Sequence, residues 1–308
     1  MSWAYLVYLL FVILFGAVVR ISGSGDGCGQ NWPSCHGEML MIPDNIHTAI
    51  EYAHRQSSGL ALPFALVLAF FGFKNFERGH LIRHGIVLSI LFLLVEAGIG
   101  ARLVLLNLVG LNDSWPRAYW MAAHLTSTYV LTACTALIVW ASAPTEADLV
   151  PCKRSKSTDR LLLGGLVTLY LVGATGAITA LGDTLYPVEQ LNEFGASLRQ
   201  KLEADQASSA HFLRRMRMVH PVVAVLGGVF VGWIGLNLPA RAGAPTLHPA
   251  HRWGRRLAVL VFVQLCAGVT NIWLGAPGWM QVVHLALACA VWLALAWVAF
   301  EMWLRPDS

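Results

Sequence analysis

Apolar residues in this chain of 308 gather into eight long runs, near 3–21, 51–73, 84–106, 118–142, 160–181, 212–238, 255–274 and 279–303. Each is close to the roughly 20 residues that one helical crossing of a hydrocarbon core needs. The pattern predicts an all-α, polytopic membrane protein with eight transmembrane helices and no separate soluble domain. The first run has no Lys or Arg before it and is too long for the core of a signal peptide, so it reads as a helix.

Composition agrees. With 56% hydrophobic and 12% charged residues and a mean hydropathy of +0.60, the chain cannot be a water-soluble globule with a charged surface. Lys and Arg fall mostly in alternate connections: Lys74, Arg78 and Arg83; Lys153, Arg154, Lys156 and Arg160; Arg241, Arg252, Arg255 and Arg256; and Arg305. The other connections hold Arg117, Arg199, Lys201, Arg214, Arg215 and Arg217. Positive charge near spans stays cytoplasmic, which puts both termini inside the plasma membrane. The net charge of +4 is mostly this signal and gives no ground for a nucleic-acid partner.

The chain also repeats itself. FGAVVRISGSGD lies over VGATGAITALGD, LVEAGIGARL over QLCAGVTNIW, and YWMAAHLTSTYVLTACTALIVW over GWMQVVHLALACAVWLALAW. These matches predict two pseudo-symmetric four-helix bundles, residues 1–148 and 149–308, in the same membrane orientation. His54 then corresponds to His220, and His124 to His284.

Those four are the histidines inside apolar runs, each within about ten residues of the same membrane face. His36, His47 and His211 fall in outer connections, and His80, His84, His248 and His251 in inner ones. An ionisable group within a span faces the bundle interior and a partner. Paired imidazoles at one depth in a four-helix bundle suit axial ligation of a haem iron. Structural histidines and a proton path stay open. Zinc fits less well, because two imidazoles per bundle lack nearby Cys, Asp or Glu, with Glu51 the exception in the first half.

The halves differ in charge. His54 follows Glu51 and precedes Arg55, whereas His220 follows Arg217 and has no carboxylate beside it in sequence. The first site reads as chemically armed and the second as electronically quiet. Glu51 and Arg55 also suit a plain i, i+4 ion pair. Arg214, Arg215 and Arg217 suit either an interfacial anchor or binding of haem propionates by their guanidinium forks. Cys28 and Cys35 share an outer connection, where oxidising conditions permit a disulfide, as a staple or a redox pair. Cys134, Cys266 and Cys289 read as packing residues, and Cys152 adjoins an inner connection.

GCGQNWPSCHG after the first run, EYAHR opening the second, and single histidines in the fourth, sixth and eighth together resemble the haem A synthase family. The resemblance covers essentially the whole chain. It implies an oxidoreductase that converts the C8 methyl group of haem O to a formyl group through a hydroxymethyl intermediate. His54 and His124 would bracket the substrate, with Glu51 as acid or base and Arg55 beside it. His220 and His284 would hold a haem b that relays electrons to an acceptor the sequence does not reveal. Cys28 and Cys35 match the family's outer disulfide pair; a second pair known in many bacterial members is missing from residues 183–215. The resemblance further implies a bacterial plasma-membrane protein, lateral entry of substrate from lipid, and a haem O synthase as partner; homo-oligomerisation is left open. A diheme electron-transfer cytochrome and a haem transporter would use the same histidines.

Overall fold

The computed structural model describes residues 1–143, 152–153, 155–187 and 196–304. Arg154 and Arg305, and the side chain of Lys201, lie outside the described residues. Among the described residues there are nine helices and no strand: α1 (Ser2–Ile21), α2 (Ile46–Asn75), α3 (Leu81–Leu105), α4 (Trp115–Ala141), α5 (Lys156–Leu185), α6 (Ala196–Gln206), α7 (Phe212–Arg241), α8 (Pro249–Trp273) and α9 (Gly278–Trp303). All but α6 are long and apolar enough to cross a membrane, in agreement with the eight runs.

Helix starts are set by caps that hydropathy does not register. Asn45 accepts from the Thr48 N–H at 2.9 Å, so α2 begins upstream of its apolar run, and Ser155 with Thr158 forms a capping box that starts α5. His47, His84 and His251, read as connection residues, therefore lie in the terminal turns of α2, α3 and α8. The short α6 was not anticipated: it is polar and lies in the α5–α7 connection, where no apolar run marks it.

In the first half α1 packs on α2 and α4, and α3 on α2 and α4; in the second, α5 packs on α7 and α9, and α8 on α7 and α9. The halves meet through α1 and α4 against α5 and α9. Trp292 carries much of that junction, stacking on Tyr129 at 4.9 Å between ring centroids and donating from Nε1 to the Tyr129 carbonyl at 2.7 Å. With hydrocarbon outside, close packing rather than water exclusion holds spans together, so small residues sit at contacts. Gly235 on α7 and Gly254 on α8 touch backbone to backbone, and a Cβ at Gly254 would fall 2.0 Å from the Gly235 carbonyl oxygen. Large apolar side chains such as Leu226, Val229 and Phe262 point outward, as a lipid-facing surface requires.

Candidate functional site

The four intramembrane histidines occupy matching places. His54, His124, His220 and His284 lie six to nine residues past the first residues of α2, α4, α7 and α9. At 1.5 Å per residue they are roughly 9 to 14 Å along their helices from the end that carries the Cys28–Cys35 disulfide. All four line one continuous cavity of about 1340 Å³ that runs through both halves. That exceeds the ~300–1,000 Å³ of an ordinary small-molecule pocket, and most of the lining is apolar.

Glycines on neighbouring helices make space for the rings. A Cβ at Gly16 of α1 would sit 3.2 Å from His54 Cε1; at Gly176 of α5, 3.0 Å from His220 Cε1; at Gly268 of α8, 3.2 Å from His284 Cε1. Three rings are thus pressed by backbone on one side and open to the cavity on the other. His54 and His124 lie close enough to interact electrostatically, as do His220 and His284.

The partners of the rings decide what they offer. Thr175 Oγ1 meets His220 Nδ1 at 3.1 Å, and Gln264 Nε2 meets His284 Nε2 at 3.2 Å. Glu96 Oε2 comes within 2.6 Å of His124 Nδ1, a close charge contact out of line with the ring N–H direction. His124 has Glu96 against Nδ1 and leaves Nε2 unbonded, His220 likewise leaves Nε2, His284 leaves Nδ1, and His54 makes no hydrogen bond from its ring. Each imidazole therefore retains a nitrogen without a hydrogen bond. That suits axial coordination of a haem, which brings the other metal ligands itself. Among the described residues no group of three or more His, Cys, Asp or Glu converges to hold a bare metal ion.

Glu96 corrects the sequence reading, which placed no carboxylate but Glu51 near the paired histidines. Its counterpart by contact also differs from its counterpart in the sequence repeat. The repeat alignment put Glu96 over Cys266; a shift of two residues sets it over Gln264, the residue that touches the equivalent histidine. An acid inside an apolar run was the signal for Glu96, and periodicity cannot say which histidine a helix faces.

Glu51 is buried and lines the cavity, but both its oxygens are engaged. Oε2 accepts from the Cys28 N–H at 2.8 Å, and Oε1 pairs with Arg55 Nη2 at 2.5 Å. Arg55 Nη1 donates to the Asn31 and Ser34 carbonyls, so the Glu51–Arg55 pair fastens the disulfide loop to α2.

Near the second pair, Arg217 has no carboxylate beside it in sequence, and the fold supplies two. Arg217 pairs with Asp183 at 3.3 Å and Asp205 at 2.5 Å, and donates to the Tyr186 carbonyl at 2.9 Å. It thereby joins α5, α6 and α7. Arg214 stacks over the Tyr186 ring at 5.0 Å, with its Nε buried and unbonded, and Arg215 donates to the Ser208 carbonyl. Outside the spans, Tyr186 Oη donates to Asp113 Oδ2 at 2.6 Å, which holds the Asp113 carboxyl below the usual carboxylate range.

A membrane helical bundle with paired, glycine-backed histidines on one long cavity is an arrangement that can accommodate a flat, ring-shaped cofactor between helices. A family model of cytochrome oxidase assembly proteins, COX15-CtaA, matches residues 1–48 and 44–296, and the chain belongs to that family. It is 31% identical over 236 residues to a heme A synthase of Bacillus pumilus, covering 73% of this chain and 69% of that one. A heme A synthase of Staphylococcus haemolyticus is 34% identical over 172 residues, 56% of this chain and 55% of the relative. Over 298 residues, 97% of the chain, it is 39% identical to a protoheme IX farnesyltransferase of Thermus thermophilus. The chain spans about half the length of that relative, 47%.

Proposed function

We propose that the chain is a haem A synthase, taking haem O as substrate and oxidising its C8 methyl group to a formyl group by way of the hydroxymethyl compound. The observation that carries this reading is the asymmetry of two otherwise matched histidine pairs: a carboxylate touches the first, and a neutral amide takes its place at the second.

His54 and His124 hold the substrate in the half formed by residues 1–148. Fixing the ring between two helices gives its reacting methyl group one position, a contribution that can reach several orders of magnitude in rate. Turning the methyl group into a formyl group breaks two C–H bonds, so a group that can accept a proton is needed, and two buried carboxylates stand at this site. Glu96 Oε1 is buried without a partner and is the better placed to take a proton; Glu51, bound at both oxygens, keeps the outer wall closed. His220 and His284 hold a haem b in residues 149–308, which supplies a one-electron relay when bound. The disulfide end faces outward and both termini face the cytoplasm.

The similarity to a protein named for farnesyl transfer favours a second reading, a role in adding the farnesyl group. It also fits the first, since a farnesylated haem is what the oxidation consumes and a farnesyltransferase is the natural partner. Co-expression with a haem O source, followed by extraction and mass analysis, separates these. One oxygen gained and two hydrogens lost supports methyl oxidation. A farnesyl group gained on protohaem without a haem O source supports the second reading, and unchanged haem O refutes the first.

A further inference from the structure

Two guanidinium groups on the cavity wall lie outside the histidine sites. Arg20, in the last turn of α1, crosses to the other half, where its Nη1 donates to the Ala180 carbonyl at 2.7 Å and to Thr184 Oγ1, and its Nη2 to Gln281 Oε1 at 3.0 Å. Ala180 is one turn beyond Gly176, which backs His220, and Gln281 is one turn before His284. Arg117, two turns before His124 in α4, is 6% exposed and donates from Nη1 to the Gly110 and Asn112 carbonyls, both at 2.6 Å. Its Nε is buried without a partner.

Every one of these acceptors is neutral. Among the described residues no carboxylate reaches ion-pair distance of either guanidinium. Asp26, Asp113 and Asp183 act on them only from farther away; Asp183 is already held by Arg217 and Asp113 by the Tyr186 hydroxyl. The two cations also repel each other. Arg117 is buried and Arg20 half-buried; holding like charges partly out of water with no paired carboxylate is costly, and a bound oxyanion lowers that cost while a guanidinium fork fixes its orientation. Arg217, with two carboxylates of its own, has no such deficit.

We propose that Arg20 and Arg117 form a carboxylate-binding site at the disulfide end of the cavity, where the halves meet, and that it takes the acid side chain of a ring-shaped ligand. The proposal rests on the haem reading above and names the residues that hold a propionate, in place of Arg214, Arg215 and Arg217. Because Arg20 belongs to the first half and is braced by the second, a carboxylate bound there ties the two halves together.

The test uses the purified full chain in detergent, cleared of pigment and titrated with protohaem and with its dimethyl ester while the Soret band is followed. Charge-assisted hydrogen bonds of this kind predict that the diacid binds about 10-fold or more tightly than the diester. Arg20→Gln and Arg117→Gln should each bring the diacid down toward the diester while leaving the diester unchanged, which also shows that the variants fold. Equal affinity of the unaltered protein for acid and ester overturns the carboxylate site. So does a preference that survives both substitutions and disappears in Arg214→Gln or Arg217→Gln. A Soret band that neither compound shifts on adding protein sinks the haem reading itself, a result distinct from either.

Discussion

Glu96 Oε2 lies 2.6 Å from His124 Nδ1, whereas the equivalent contact in the other half is made by the amide of Gln264 to His284. A carboxylate against a ligating imidazole raises its basicity and fixes its orientation, and loss of such a partner typically costs about 10- to 100-fold. On the proposed haem reading, Glu96→Gln should lower formyl product by that factor, raise the midpoint potential at the first site by tens of millivolts and leave the second unmoved. Equal shifts at both haems in a redox titration would refute the asymmetry.

The glycines that back the histidines make a steric prediction. A Cβ at Gly176 would approach His220 Cε1 to 3.0 Å, and a larger side chain must push the ring off its place, whereas nothing lies within 4 Å of a Cβ at Gly98. On the proposed haem reading, Gly176→Val should therefore cut haem content at the second site by about half or more, with Gly98→Ala close to the unaltered protein. Pyridine haemochrome per mole of protein measures it.

Removing one member of a buried ion pair strands the other, at a cost of about 3–5 kcal/mol. Glu51 and Arg55 have side chains 5% and 9% exposed, and Glu51 also holds the Cys28 N–H. Glu51→Ala should lower the thermal midpoint in detergent clearly. Adding Arg55→Ala should recover part of the loss, a double-mutant cycle that isolates the pair. Additive losses would show that the two residues act independently.

Asp205 fastens α6 to Arg217, and Asp183 holds the same guanidinium from α5. Asp205→Ala should raise hydrogen exchange across 196–206 while α7 stays protected, because one carboxylate remains on Arg217. Unchanged exchange in α6 would remove Arg217 as its anchor.

The sequence by itself determined the eight spans and the duplicated histidines, because both rest on local facts: the length of an apolar run and the depth of a residue along its own helix. The ion pair at Glu51 and Arg55 was legible for the same reason, being one turn apart. Helix starts at 46 and 156 were not, since a single cap hydrogen bond moves a boundary without changing hydropathy. Only the tertiary structure decided that Glu96 meets His124, that Arg217 is taken by Asp183 and Asp205, and that Arg20 reaches α5 and α9. Those contacts join residues up to 261 positions apart. They depend on the rotation of each helix about its axis, which is settled by packing against its neighbours and leaves almost no trace in the spacing along one chain.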